Sequence, residues 1–375
     1  MKKITSIAVS RSFYYYGTDN GEIYYRTPNS SWTLLYTNPT GGRVQSIKTD
    51  QKNNHALSFL CIHINDNYEI KSSEAFHLRA ENGDVRVEKI DDWIAQLLNP
   101  YMYIYGDSLG VYLPTTKQKG IIYSLEWFCD TQNIDIYGMN YLVINREMAD
   151  STIYTIDLPS DNPDTFAING PIFKKFRAMY PESGSITDNM DAFDEQNIKE
   201  VQRLNEILPQ QLVLTPHHER TYVDFVKVFS NGKRLYVASG GRDGYVCVSD
   251  YKTHKLIFKS DYLESTARCA VGYQNNLYFA GDDGMVGSVK LDDLNGATQD
   301  VQYLGDESIT MIRYSPYHNL LAVRNDDEYV LILDADTFEC VKAKQIESEV
   351  QDMEFTSDGY LNIITYSDIL VEMAI

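Results

Sequence analysis

The hydrophobic pattern along the chain repeats one local unit: an apolar run, a short turn rich in Asp, Asn and Gly, and a second apolar run. Clear examples are "FYYYGTDNGEIYY" at 13–25, "LYVASGGRDGYVCVSD" at 235–250 and "LLAVRNDDEYVLILDADTF" at 320–338. Apolar runs bounded by turns of this composition are typical of β-hairpins. We therefore predict that most of the chain is antiparallel β-structure.

The spacing of these hairpins predicts the architecture. One turn aspartate per hairpin marks its position: Asp19, Asp66, Asp107, Asp150, Asp243, Asp283, Asp327 and Asp368. The successive gaps are 47, 41, 43, 93, 40, 44 and 41 residues. Six of the seven gaps match the period of a four-stranded propeller blade. We predict an all-β protein, a single β-propeller domain over 1–375 with eight four-stranded blades, or seven if one hairpin is decorative.

The segments between hairpins supply the remaining strands of each blade. "RVQSIKTD" (43–50) and "SITMIRYSP" (308–316) have the character of innermost strands, and "WTLLYT" (32–37) and "KLIFKSD" (255–261) that of outermost strands. The sequence leaves open how the ring closes. Residues 1–9 could complete the last sheet as its outer strand, or could be the inner strand of the first blade.

The one long gap predicts a helical insertion at 159–216. "GPIFKKFRAMY" (170–180) and "DEQNIKEVQRLNEILP" (194–209) place apolar residues at helical spacing, with Pro171 and Pro209 at helix-compatible ends. A shorter helical stretch is expected at "DDWIAQLL" (91–98). The apolar stripe of the insertion either packs on the propeller or binds a partner protein. The residues of this stripe are Ile172, Phe173, Phe176, Ile198, Val201, Leu204 and Leu208.

The stretch "SGGRDGYVCVSDYKTHKL" (239–256) resembles the hairpin of a WD-repeat blade, in which a Ser-Gly-x-x-Asp-Gly turn precedes a strand that ends in Trp-Asp. Ser249 stands where the tryptophan is usual, and Asp250 follows it. The resemblance extends over roughly 217–375. No repeat retains the Trp-Asp pair, so this would be a degenerate member of the family.

WD-repeat blades often use a histidine just before the inner strand to hydrogen-bond the aspartate of the hairpin turn. The resemblance therefore implies a structural network of His218, Ser239 and Asp243. Asp-Gly is a strong hairpin dipeptide, so Asp243 and Gly244 are interpreted as turn residues rather than cation ligands. The same interpretation applies to Asp283 and Asp327.

The first blade resembles a different group of propellers. "YYGTDNGEIYYRTPNSSWTLL" (15–35) is similar to the Asp-box hairpins of sialidase-type and photosystem-assembly propellers, with Trp32 closing the unit. These families share an architecture rather than a function. The resemblance is the basis of one alternative function, a carbohydrate- or surface-binding propeller.

Composition restricts the partners and the compartment. The net charge is −20, the cationic residues are scattered, and we expect no nucleic-acid contact. No apolar run is long enough to span a bilayer. Five widely spaced cysteines favour a reducing, cytoplasmic location. The 29 tyrosines suit both pleated sheets and interaction surfaces.

No catalytic, metal or cofactor motif stands out. The chain has no nucleophile elbow, Walker loop or dinucleotide fingerprint. Adjacent histidines such as His217 and His218 would point to opposite faces of a strand, which is poor for chelation. An active site in the central channel, as in a propeller hydrolase or lyase, would need several arginines to converge there. The candidates are Arg242, Arg268, Arg313 and Arg324. We therefore expect a non-enzymatic platform for protein–protein interaction, without a cofactor, in a multi-subunit complex.

Overall fold

The computed structural model shows eight antiparallel sheets that follow one another along the chain. Within the described residues seven sheets have four strands and the last has three. Each sheet pairs its strands in sequence order, which is the topology of a propeller blade. The structure describes residues 3–10, 12–50, 56–65, 67, 69–81, 84–105, 108–124, 131–138, 141–146, 153–157, 211–213, 217–219, 221–291 and 297–375.

The strands of the first four blades have the following bounds. Blade 1 contains β1 (Ile4–Val9), β2 (Tyr14–Thr18), β3 (Glu22–Arg26) and β4 (Thr33–Thr37). Blade 2 contains β5 (Arg43–Thr49), β6 (Ala56–Ile64), β7 (Ile70–Glu81) and β8 (Asp84–Asp92). Blade 3 contains β9 (Ile94–Leu97), β10 (Met102–Tyr105), β11 (Ser108–Leu113) and β12 (Gln118–Ser124). Blade 4 contains β13 (Thr131–Tyr137), β14 (Tyr141–Arg146), β15 (Ile153–Asp157) and β16 (Gln211–Val213).

The last four blades cover the region that resembles WD repeats. Blade 5 contains β17 (Val223–Ser230), β18 (Leu235–Gly241), β19 (Val246–Asp250) and β20 (Leu256–Lys259). Blade 6 contains β21 (Ala267–Tyr273), β22 (Asn276–Gly281), β23 (Met285–Leu291) and β24 (Ala297–Tyr303), with a 3-10 turn at Asp282–Gly284. Blade 7 contains β25 (Ile309–Ser315), β26 (Leu320–Asn325), β27 (Tyr329–Asp334) and β28 (Cys340–Gln345). Blade 8 contains β29 (Val350–Phe355), β30 (Tyr360–Thr365) and β31 (Leu370–Ala374).

The core consists of one apolar cluster at each junction between neighbouring blades. Leu109, in blade 3, packs in a cluster with Ile144 of blade 4, and Leu321, in blade 7, packs with Tyr278 of blade 6. Such clusters explain why second and third strands are nearly continuous apolar runs: both faces of these strands are covered by adjacent sheets. The burial of apolar side chains between neighbouring sheets is thus the main contribution that stabilises the ring.

Register defines two faces of the ring. In blade 5 the first strand begins at Val223 opposite Gly241, and the fourth strand ends with Lys259 opposite Cys247. The start of each first strand, the turn between the second and third strands, and the link to the next blade therefore lie on one face, here called the upper face. Turns between first and second strands, and between third and fourth strands, form the lower face.

The ring closes without a shared strand. Strand β1 is the inner strand of blade 1, which settles the alternatives left open for residues 1–9. Ile364 of blade 8 packs with Ile7 and Tyr16 of blade 1. Arg26 of blade 1 lies 3.1 Å from Glu372 and 3.7 Å from Asp358 of blade 8. Side-chain contacts and one main-chain hydrogen bond of 2.8 Å, from Ile4 N to Asp368 O, hold this junction in place of a β-ladder.

The short helix expected at 91–98 is wrong. Residue 91 belongs to β8, and residues 94–97 form β9, in which Gln96 pairs with Ile104. Trp93 separates the two strands with a left-handed φ of 60°. Ile94 and Leu97 are the first and last residues of this four-residue strand, and both are buried. Their spacing of three residues resembles that of the apolar stripe of a helix.

The helical insertion is not confirmed. The described residues contain no α-helix, and residues 158–210 and 214–216, with the seven stripe residues from Ile172 to Leu208, lie outside the described part. The described residues also include no helix with the length and apolarity that crossing a bilayer requires.

Candidate functional site

The predicted turn network of blade 5 is present as hydrogen bonds. His218 Nδ1 lies 2.9 Å from Asp243 Oδ1, and His218 Nε2 lies 2.8 Å from Ser239 Oγ. Gly244 takes a left-handed φ of 76° behind the aspartate, and a Cβ at this position would lie 2.5 Å from Leu263 O. The network ties the segment before the inner strand to the upper-face turn.

His217 extends this network to the position where a WD repeat has tryptophan. Its Nδ1 lies 2.6 Å from Ser239 Oγ and its Nε2 lies 2.7 Å from Ser249 Oγ. Both histidines and both serines are buried. The imidazole of His217 therefore adds side-chain hydrogen bonds to the second and third strands, which their β-ladder already joins, and the small Ser249 leaves room for it.

The electrostatics of the network fit a structural role. Burial lowers the pKa of His217 to about 3, so the ring is neutral at physiological pH. Burial alone would raise the pKa of Asp243, but the hydrogen bond and charge of His218 lower it. Ligand atoms of His217, His218 and Cys247 lie within 4.8 Å of one another. Burial raises the pKa of Cys247 to about 12, however, and the ring nitrogens already bind serine and aspartate.

Asp283 and Asp327 lie in the corresponding upper-face turns of blades 6 and 7. Asp283 has a left-handed φ of 55° and is exposed, and Asp327 is exposed as well. Both positions agree with the interpretation as turn residues.

The four arginines considered for a channel site do not converge. Arg242, Arg268 and Arg324 lie near the upper face, and each pairs with a carboxylate of the same or the next blade. These partners are Asp224, Asp282 and Glu349. Only Arg313 lines the central channel.

The central channel holds a polar chamber of about 540 Å3. Its lining includes residues of the inner strands β1, β5, β17, β25 and β29. Arg313 lies 2.6 Å from Asp352 and 4.0 Å from Glu354, and Lys227 lies 3.4 Å from Asp135. Lys48 has no carboxylate within salt-bridge distance among the described residues. The chamber therefore combines cations and carboxylates from several blades.

Enclosure changes the titration of two chamber residues. Burial lowers the pKa of Lys48, and it is the largest contribution there. Burial also raises the pKa of Glu354 above its usual range, and Asp352 adds to the rise while Arg313 opposes it. Perturbed groups of both signs in one cavity are typical of sites that bind polar ligands.

The upper face carries most of the exposed apolar surface. Nine of the sixteen large apolar side chains that are exposed in the described residues lie there. These nine are Ile64, Ile70, Trp93, Tyr222, Tyr262, Tyr303, Tyr329, Tyr366 and Ile369. Tyr262 is the most exposed of the set, at 65%.

Comparison with known proteins identifies the fold alone. The sequence matches no protein-family model and no curated protein. The structure is similar to the computationally designed Ika8 protein, with a TM-score of 0.56 and 15% identity over 100% of this chain and 96% of the other. It is also similar to the β-propeller domain of Cps50 (Swd1) from Myceliophteria thermophila, with a TM-score of 0.50 and 9% identity over 100% and 97% of the two chains.

Sequence reasoning missed the chamber residues Lys48, Asp352 and Glu354. A usable signal existed, because the inner strands "RVQSIKTD" and "VQDMEF" carry charged residues between their apolar ones. In a propeller the inner strand faces the channel, so such charges gather there.

Proposed function

We propose that this chain is a non-enzymatic propeller that serves as a protein–protein interaction platform. It would act in the cytoplasm as a subunit of a multi-protein complex. The WD-repeat-like blades 5 to 8 and the Asp-box-like blade 1 would be degenerate variants of one architecture. No cofactor is part of this proposal.

The concentration of exposed tyrosine and aliphatic side chains on the upper face carries the proposal. Tyrosine is enriched at protein interfaces because it offers a large contact area at low entropic cost. The upper-face tyrosines come from blades 6, 7 and 8 and from the two links that flank blade 5, so one flat partner surface would contact several of them at once.

The charge of the same face indicates the chemistry of the partner. Seven exposed carboxylates lie in the upper-face loops of blades 6 to 8: Asp283, Asp306, Glu307, Asp326, Asp327, Glu347 and Glu349. The arginines nearby are already paired with carboxylates. A protein partner with lysine and arginine around its contact surface would be complementary, and nucleic acid would be repelled.

The test is affinity purification from the native source with a variant of the upper face. Tyr222→Ser, Tyr262→Ser and Tyr366→Ser combined remove three exposed rings, two from the links that flank blade 5 and one from blade 8. We expect the stoichiometric partners of the intact protein to be lost. Their retention at unchanged stoichiometry would contradict the upper-face assignment.

A matched variant of the lower face is the control. Tyr137→Ser, Tyr317→Ser and Tyr360→Ser remove the same number of exposed rings from the opposite side. This variant should keep every partner. If no stable partner is found for the intact protein, the platform proposal itself fails.

The apolar stripe predicted at 159–216 is a second docking surface in this proposal. Replacement of 165–210 by a short Gly/Ser linker would remove it. Loss of a distinct subset of partners is the expected result, and an unchanged set of partners would show that the stripe does not bind them.

The channel chamber favours a second candidate, a propeller hydrolase or lyase. A carboxyl group with a raised pKa, such as that of Glu354, is suited to general acid–base catalysis. Its substrate would be small enough for the chamber of about 540 Å3. Turnover in a substrate panel that is abolished by Glu354→Gln would favour this candidate over the platform.

A further inference from the structure

A second cavity, of about 300 Å3, lies between blades 2 and 3 near the lower face. Strands β7 and β8 form one side of it, and the turn between β11 and β12 forms the other. Its charged and polar lining residues are His77, Arg79, Arg86, Glu88, Thr115 and Lys117. In a protein with a net charge of −20, three cationic side chains around one cavity are a local reversal of sign.

Two of these cations lie opposite each other on adjacent strands. Arg79 of β7 and Arg86 of β8 are direct cross-strand partners, so their side chains project from the same face of the sheet. Neither has a carboxylate within salt-bridge distance among the described residues, and Arg79 Nε is buried without a hydrogen-bond acceptor. Like charges directly opposite each other on a sheet are destabilising. An anion between the two guanidinium groups would remove this cost.

The ring of His77 also lines this cavity, and it contains a hydrogen-bond acceptor. Ser58 donates its only hydroxyl proton to Pro100 O, so its oxygen accepts the bond of 3.0 Å from His77 Nδ1. Burial lowers the pKa of His77 to about 4, with Arg79 adding to the effect, so the ring is neutral. Its Nε2 is therefore an unprotonated acceptor, and it is buried without a partner in the described structure.

Glu88, the one carboxylate among the described lining residues, is already engaged. Glu88 accepts hydrogen bonds from Lys117 and from the hydroxyl of Tyr112. Burial alone would raise the pKa of Glu88, but these two bonds lower it. Arg79 and Arg86 are thus free to bind an external anion, since Lys117 satisfies the internal one.

We propose that this cavity binds the phosphate monoester group of a small hydroxylated molecule. Arg79 and Arg86 would each donate to the phosphate oxygens, which is the geometry that guanidinium groups favour. A hydroxyl group of the ligand would donate to His77 Nε2, which a fully deprotonated phosphate cannot do. A volume of about 300 Å3 corresponds to the lower end of small-molecule sites.

The test is isothermal titration calorimetry on the full chain with inorganic phosphate, glycerol 3-phosphate, glucose 6-phosphate, glucose and a phosphoserine peptide. We expect saturable binding of at least one sugar or glycerol phosphate, weaker binding of inorganic phosphate, and none of glucose. Absence of binding by every phosphorylated probe would overturn the proposal. Binding of a phosphoserine peptide with none of either phosphate ester would also overturn it, because the site would then recognise a modified protein.

Arg86→Gln separates a binding role from a structural one, because Arg86 is exposed and its loss should not prevent folding. The loss of one charge-assisted contact should weaken phosphate ester binding by about 10-fold to 100-fold. Without ligand, the same variant should unfold at a temperature about 1–2 °C higher, since the repulsion with Arg79 is gone.

Arg242→Gln is the matched control, since Arg242 is an equally charged residue that pairs with Asp224 far from the cavity. It should leave affinity unchanged. Unchanged affinity in Arg86→Gln, or equal losses in both variants, would show that the arginine pair does not form the site.

Discussion

Replacement of His217 by glutamine should make the stability of the protein less sensitive to acid. The ring is neutral in the folded state because burial lowers its pKa to about 3, whereas an unfolded histidine titrates near 6.5. Between these values the unfolded state binds the extra proton, so stability falls as the pH decreases. At pH 5.0 the histidine has already cost about 2 kcal/mol relative to pH 7.5.

The measurement is urea unfolding followed by tryptophan fluorescence at pH 7.5 and pH 5.0. For the wild-type protein and for His217→Gln, the free energy of unfolding at pH 5.0 is subtracted from that at pH 7.5, which gives the loss on acidification. The loss should be smaller in the variant by about 2 kcal/mol. The variant also loses hydrogen bonds to Ser239 and Ser249, but that cost is nearly the same at both pH values and cancels in the difference.

His318→Gln provides the control. His318 is exposed in the folded protein, so its surroundings change little on unfolding and the loss between the two pH values should match that of the wild type. If His217→Gln loses as much stability on acidification as the wild type, the buried, neutral state assigned to this ring is wrong.

Three further substitutions test the turn network and the ring junction. Asp243→Asn should cost about 1–3 kcal/mol of unfolding free energy, because it weakens the partly buried hydrogen bond to His218. Asp283 is exposed, so Asp283→Asn should cost less than about 0.5 kcal/mol, and urea titration measures both values. Gly244→Ala should lower the unfolding temperature through its left-handed φ and the contact with a backbone oxygen, whereas Gly305→Ala meets no atom within 4 Å and should change it little. Arg26→Gln should speed hydrogen exchange in β1 and β31 before other strands, and uniform acceleration across the ring would contradict the assigned role.

The blades were predictable because their signal is local and repeated. Each hairpin combines continuous apolar runs with a turn rich in Asp and Gly, and the count of hairpins at the repeat period then favoured eight sheets, with seven left open. Strand β9 was not predictable in this way. Ile94 and Leu97 have helical spacing, and only the pairing with β10, a tertiary contact, selects the strand.

The side chains that meet in cavities were the least predictable part. The pairing of Arg79 with Arg86 depends on the exact register of β7 and β8, which a shift of one residue would reverse. The network around His218 was accessible through the resemblance to a WD-repeat blade. The role of His217 could not be predicted in the same way. A WD-repeat blade has a tryptophan at the position of Ser249, so it offers no model for the hydrogen bond between these two residues.

The junction between blades 1 and 8 has a consequence for how the chain can be reconnected. Every blade is built from one continuous stretch of sequence, so no ladder of main-chain hydrogen bonds joins β1 to blade 8. The other seven junctions likewise lie between whole blades, so no sheet depends on which of the eight junctions the chain crosses. A circular permutant that joins 375 to 1 and opens between blades 5 and 6 would keep every sheet whole. The same independence makes the blade the natural unit by which such a ring can be lengthened, shortened or exchanged.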